Sequence, residues 1–496
     1  MRDFEPAERI GLLFIGLDGV PFDLCNDMMA QGRLPNLARL ASSGAFGQLN
    51  SSIPPHTAPA WTSMFTGVGP GEHGMYQFWN LKDADYRMDL MSSGSLGWRP
   101  VWRELARNGL SVGVCNVPMT HPPEALPGWM ISWPLGPTLS FAEPHDVLHD
   151  LAAAGLRYHP DVVAMWAGSE AFPHEALAGI EQRCKALRYL MEHRRTDAVF
   201  CVFTEFDRIA HYHWSDAGPS EIVLTALERL DACVGRLVRA VQDDTDIVVA
   251  SDHGFGPCRG NVQINQLLVE AGLMAETSHE KRPDDPAAAH LGTAWSGPPQ
   301  ASYVDWFKTR AYMPSPGCYG INLNRSGRQR CGTVEVADIP FLRKDIEAAL
   351  AQLTASGQGP CFDLVDAASV YQGHRIDDGP DFLIVPDDWA WMAHPGLSAE
   401  ILTRPTQPGV HRPEGIVLIS SPKLSGPIAQ TARVEDICPT LLSLCDLASP
   451  NGAEGRALGG LPDLRGPDPH WRLRLQNSAA AMTSLAEKQL ANMGYL

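Results

Sequence analysis

The sequence has 496 residues, 44% of them hydrophobic, and a formal net charge of −18. A chain this long buries a core without disulfides, and a surface this acidic repels nucleic acid, which excludes a non-specific binder of nucleic acid polymers. Positive charge that attracts a phosphate-bearing ligand must then be local, and bound metal ions are its natural source.

The 11 cysteines are odd in number and form no C-x-x-C pair. Cys25, Cys115, Cys201 and Cys438 sit in apolar stretches, the pattern of reduced core thiols rather than a disulfide framework. The start, MRDFEPAERI, is charged, and the apolar stretch Leu12–Leu17 is too short for a signal peptide. No run approaches the roughly 18 apolar residues of a membrane helix. The expectation is a cytoplasmic protein with no membrane partner.

In chain order, the periodicity predicts a strand at Leu12–Leu17, helices at Pro35–Ser43 and 101–108, a strand at 111–117 and a helix at 180–193. A strand at Ala198–Phe203, a helix at 219–242 and a strand at 246–251 follow. Helices at 265–271 and 343–355, strands at 382–385 and 416–420, and helices at 434–447 and 476–492 complete the chain. Continuous Val/Ile/Leu strands separated by helices predict an α/β fold, a three-layer α/β/α sandwich around a mostly parallel sheet. Residues 1–496 read as a single catalytic domain carrying inserted cap segments near 77–170 and 275–380. Within the second, residues 278–301 are small and polar and predict a long surface loop.

Ligands of open α/β sheets gather at the carboxyl ends of the strands, so the residues there come next. The first strand ends LFIGLDGV, placing Asp18 at its tip. The third ends VFTEFDRIAHYHW, with Asp207 and His211 on one face if the segment is helical. The fourth ends IVVASDHGFG, with Asp252 and His253, and His411 in GVHRPEG precedes the last core strand. Taken singly, Asp-Gly is a plain turn, Asp207 and His211 fit a solvated helix face, and His411 fits a loop. Taken together, carboxylates and imidazoles at one sheet edge repel or stay unsatisfied without a cation. A mixed Asp/His set suits Zn, with Mn or Fe as alternatives.

The loop SIPPHTAPAWTSMFTGVGPGEHG supplies hydroxyls that a metal could activate: Thr57, Thr62, Ser63 and Thr66. Composition does not choose among them, and a helix starting near 59–62 would use such hydroxyls as caps. Thr62 and Ser63 read as helix or packing residues.

The ordered set of motifs, T-A-P-A-W-T-S-M-F-T-G at 57–67, P-G-E-H-G at 70–74, Asp18-Gly19, D-x-x-x-H at Asp207 and His211, S-D-H-G at 251–254 and G-x-H at His411, resembles the type I phosphodiesterase/nucleotide pyrophosphatase branch of the alkaline phosphatase superfamily. The resemblance implies an alkaline phosphatase-like fold and a metal-dependent phosphoric ester hydrolase with Thr57 as nucleophile and a phosphothreonine intermediate. It implies two divalent metal ions, one held by Asp18, Thr57, Asp252 and His253, the other by Asp207, His211 and His411. The substrate implied is a small-molecule phosphate ester or phosphonate.

One departure stands out. The nucleotide pyrophosphatases carry an Asn near the nucleophile, and Ala58, Pro59, Ala60 and Trp61 follow Thr57 here. A phosphomonoesterase or a phosphonate C–P hydrolase on the same scaffold is the alternative within enzymes. A catalytically inactive phosphoryl-ligand-binding protein is the alternative of another class. Sulfatase chemistry is disfavoured, because no C-x-P-x-R motif is present. The oligomeric state is open.

Overall fold

A computed structural model describes residues 7–81, 86, 88–134, 138–160, 171–276, 304–355, 357, 359–467 and 471–473. All of residues 278–301 and all of the expected helix 476–492 lie outside the described residues.

The central sheet has eight strands: β1 (Leu12–Leu17), β2 (Ala45–Asn50), β3 (Val112–Cys115), β4 (Gly128–Ile131), β5 (Ala142–Glu143), β6 (Ala198–Phe203), β7 (Asp246–Ala250) and β8 (Glu414–Ser420). Their order across the sheet is β2-β8-β7-β1-β6-β3-β4-β5. The five strands from β7 to β4 are mutually parallel. β8 runs antiparallel between β7 and β2, and β5 is antiparallel at the far edge. The sheet is mostly parallel, as its apolar strands predict.

Strand geometry sends alternate side chains to opposite faces, and β1 shows the consequence. Leu13, Ile15 and Leu17 enter the core beneath helices Phe22–Ala30, Pro35–Ser43, Phe172–His193 and Glu221–Val238. Leu12 and Phe14 enter the opposite core beneath helices Thr57–Thr66, Val101–Arg107 and Ile437–Leu444. Gly16 serves close packing: a Cβ there would lie 2.5 Å from the Trp61 ring and 2.8 Å from Val202. No residue with a side chain fits without displacing Trp61.

A second, four-stranded sheet is formed by Ala311–Tyr312, Gly320–Leu323, Phe382–Pro386 and Phe362–Asp366. It shares a separate core with helices Ile264–Glu270 and Ile339–Ala355. The strand expected at 382–385 therefore belongs to this sheet and not to the central one. Its apolar run is short, and a run of that length carries no signal for which sheet it joins. The strand expected at 416–420 is in the central sheet but antiparallel to its neighbours. Of the stretch 77–170, β3, β4 and β5 lie in the central sheet, whereas 304–380 builds most of the second one. Among the described residues, no helix is long and apolar enough to cross a membrane.

Candidate functional site

Three adjacent strands deliver the acidic residues to one edge. β1 ends directly before Asp18, and β7 ends two residues before Asp252 and His253. β6 leads through Thr204 into helix Glu205–His213, which carries Asp207 in its first turn and His211 one turn later. A two-stranded antiparallel ribbon, Gly254–Pro257 with Gly409–Arg412, pairs Phe255 with His411 and folds that imidazole back over the edge. His411 is thus a strand residue rather than a loop residue. Thr57 opens helix Thr57–Thr66, whose N-cap is His56, with its Nδ1 accepting from Ala58 N at 3.2 Å.

These seven side chains meet in one buried place. Asp18, Thr57, Asp207, Asp252 and His253 are fully buried, and His211 and His411 nearly so. Thr57 Oγ1 lies 3.3 Å from His253 Nε2. His253 Nε2 lies 3.2 Å from Asp252 Oδ2 and 3.7 Å from Asp18 Oδ1. His411 Nε2 lies 3.1 Å from both Asp207 Oδ1 and His211 Nε2. Asp18, Asp252 and His253 offer ligand atoms within 4.8 Å of one another, and so do Asp207, His253 and His411. His253 therefore sits between the two halves, and His211 joins the second through His411 and through Asp207 at 3.5 Å.

The surrounding groups orient each of these side chains. His211 Nδ1 faces Gly409 O at 3.2 Å, His253 Nδ1 faces Gly254 O at 3.0 Å and His411 Nδ1 faces Pro55 O at 3.1 Å. A carbonyl only accepts, so Nδ1 carries the proton in all three and the Nε2 lone pairs converge. The carboxylates follow the same design. Trp61 Nε1 donates to Asp18 Oδ2 at 3.1 Å, Gly19 N to Asp252 Oδ1 at 3.2 Å and Arg208 Nη1 to Asp207 Oδ2 at 2.5 Å. In each, the second oxygen is the one near an imidazole Nε2. Acceptors thus face acceptors at hydrogen-bond distance in a dry interior, a costly arrangement unless a proton or a cation lies between them.

The titration directions agree. Burial pushes the Asp252 carboxyl well above its ordinary value, and the negative charges of Asp18 and Asp207 push it further. Burial also raises Asp207, but His211, the close His411 imidazole and the Arg208 guanidinium outweigh it and hold that carboxyl below the usual range. Burial lowers His211 to about 4 and His253 well below its ordinary value, so both are neutral at neutral pH. Neutral imidazoles with carboxylates are a ligand set for a divalent ion such as Zn.

Two residues of this arrangement escape the sequence reading. Trp61 reaches Asp18 from the helix that Thr57 opens. Arg208, 1% exposed, pairs with Asp207 and lies 5.9 Å from the Trp133 ring centroid. The signal for Arg208 is its place beside Asp207 on a buried helix; Trp61 carries none before its contact is seen. Nearby, His73 is buried, binds Ser63 Oγ at 3.0 Å and accepts from Met75 N at 3.0 Å, which shapes its turn. Thr62 Oγ1 donates to Ala58 O at 2.7 Å, a helix contact. Arg259 and Lys308 form exposed pairs with Asp388 and Asp305. Trp306 and Tyr312 pack with Tyr86 in the core of the second sheet, Phe307 is exposed, and Tyr319 borders the site.

The family model for type I phosphodiesterase/nucleotide pyrophosphatase matches residues 12–408. No curated protein sequence matches the chain significantly. Among solved structures, phosphonoacetate hydrolase from Sinorhizobium meliloti 1021, in complex with phosphonoformate, is similar with a TM-score of 0.59 at 17% identity, over 89% of this chain and 96% of that one. Murine ectonucleotide pyrophosphatase/phosphodiesterase 5, as an inactive variant in complex with AMP, is similar with a TM-score of 0.52 at 14% identity, over 89% and 96%. Those likenesses carry the alkaline phosphatase-like fold. With four-fifths of its length matched by the family model and the motif residues gathered at one sheet edge, the chain belongs to the type I phosphodiesterase/nucleotide pyrophosphatase family.

Proposed function

We propose that this enzyme, a hydrolase of phosphoester or phosphonate bonds by its family, is a two-metal phosphodiesterase that works through a phosphothreonine at Thr57. The observation that carries the reading is the convergence of three imidazole Nε2 lone pairs and three carboxylate oxygens, with the Thr57 hydroxyl 3.3 Å from one of them, His253 Nε2. Asp18, Thr57, Asp252 and His253 would hold one ion, and Asp207, His211 and His411 the other, with Zn favoured over Mn or Fe by the donor set. Bound there, divalent ions would supply Lewis acidity, lowering the hydroxyl pKa and neutralising charge on the phosphoryl group.

The chain's own residues do the rest. Thr57 Oγ1 gives up its proton and attacks phosphorus, its bond to phosphorus forms, and the ester P–O bond breaks with its electron pair leaving on the departing oxygen, which takes up a proton as the free alcohol. Water then attacks phosphorus, the Oγ1–P bond breaks, and Thr57 regains its proton. Two inversions give net retention at phosphorus. Thr57 is the first residue of its helix, so the positive end of the helix dipole faces the negative charge that develops. That placement helps to offset the missing Asn. The substrate is a small phosphate ester, handled by one catalytic domain in the cytoplasm.

Incubation with a slow aryl phosphodiester, acid quench and peptide mass spectrometry should find a phosphoryl group on Thr57. Thr57→Ala should lose hydrolysis and the adduct while keeping its metal. Chelation should abolish turnover and Zn should restore it. Full turnover by Thr57→Ala would sink the reading.

A further inference from the structure

Beside the His211 and His411 imidazoles lies a partly open cavity, which both rings help to line. Its other walls are Pro55, His56, Gly317, Tyr319, Met392 and Val410. Tyr319 is held unusually firmly. Its φ of 45° is left-handed, a conformation that costs a residue with a side chain and persists only where the surroundings enforce it. Its hydroxyl donates to Trp391 O at 2.7 Å, and its carbonyl accepts from Ile384 N at 2.8 Å. The hydroxyl is thereby spent, and the ring is left as a fixed wall.

No Lys or Arg is among the described residues that line this cavity. The two arginines next to site residues are engaged elsewhere. Arg208 pairs with Asp207, and Arg412 donates to Pro257 O at 2.8 Å. A carboxylate or phosphate on a group entering this cavity would lose its water and meet no cationic side chain among the described lining residues, with Tyr319, Met392 and Val410 beside it instead. An uncharged apolar group would gain by the same burial.

Resting on the hydrolase reading above, we infer that this cavity takes the departing alcohol. The preferred substrates are esters of an uncharged, apolar alcohol, aryl or branched alkyl. Esters and phosphonates whose departing part carries its own negative charge are selected against. The inference separates this chain from hydrolysis of a carboxylated phosphonate, and it names Tyr319 and Met392 as specificity residues.

The test is a series of methyl aryl phosphodiesters, with the matching aryl monoesters, given to the Zn-loaded full chain. Half carry neutral aryl substituents and half a carboxylate, and kcat/KM is plotted against leaving-group pKa to remove intrinsic reactivity. The carboxylated esters should fall at least tenfold below the neutral line, mainly through KM. Each added methylene on a neutral alcohol should raise kcat/KM about fourfold until the cavity is filled. Met392→Lys, checked for fold by circular dichroism and for metal content, should lift the carboxylated esters toward the line.

If all esters turn over and the carboxylated ones lie on or above the neutral line, the cavity assignment is overturned while the hydrolase reading stands. Because that result comes from the unaltered protein, it holds even if Met392→Lys fails to fold. If no ester turns over with metal bound, both are overturned.

Discussion

Trp61→Phe separates the job of holding Asp18 from the job of filling the core. The indole N–H donates to Asp18 Oδ2 at 3.1 Å, and both residues are fully buried. Phe keeps an aromatic ring against Phe65, now stacked at 5.8 Å, and against Phe14 at 6.4 Å, but it has no N–H to give. A hydrogen bond to a charged group contributes about 1.5–3 kcal/mol. Because that bond fixes which oxygen faces the cluster, its loss should fall on metal binding as roughly 10- to 100-fold weaker affinity. The smaller ring should also cost about 2 kcal/mol of folding stability through lost burial over Gly16.

The two effects are measured apart. Competition with a zinc-binding dye gives affinity, and urea unfolding in excess chelator gives the stability of the metal-free chain. Phe65→Leu is the control, since Phe65 lies in the same apolar cluster and none of its contacts described above reaches a carboxylate. It should lower stability and leave zinc affinity within about twofold. Unchanged affinity in Trp61→Phe, or an equal loss in both variants, would refute the positioning role of Trp61.

Arg208→Met removes the guanidinium from Asp207 and keeps an apolar body against Trp133. Breaking a buried charge pair should cost about 3–5 kcal/mol in the metal-free chain, and adding Zn should recover more stability than in the unaltered protein; equal losses with and without metal would contradict this. Acid should destabilise the metal-free protein. Burial holds His73 well below its ordinary pKa, and His211 and His394 at about 4. Between pH 6.5 and 4 the unfolded chain therefore takes up protons that the folded one refuses, so stability is complete above about 6.5 and falls toward 4. Asp252, raised in the folded state, acts in the opposite direction, so Asp252→Asn should steepen the fall; a flat melting temperature from pH 8 to 4 would contradict both.

The parts of the site legible in the sequence are those governed by local pattern. Apolar strands that stop at Asp18 and before Asp252 announce their own ends, and the four-residue spacing of Asp207 and His211 is realised on a helix. Pairing is not local. Trp61 reaches across to Asp18, and Gly19 N finds Asp252, 233 positions away, only once β1 and β7 lie side by side. Strand β2 carries no strand signal in the sequence, because AFGQLN holds two polar residues and a glycine and sits at a sheet edge, where only part of it is buried. The helix Phe22–Ala30 has acidic residues within a short apolar pattern and no side-chain cap at its start, so no start signal marks it. The fate of 382–385 depended on partners in Gly320–Leu323 and Phe362–Asp366 that flank it only after folding.

Anomalous diffraction at the zinc edge, from crystals grown with Zn, tests the central claim most directly. The account predicts two peaks, one bounded by Asp18, Thr57, Asp252 and His253 and the other by Asp207, His211 and His411. A well-ordered cluster with no anomalous peak, or metal bound only at other residues, would contradict it.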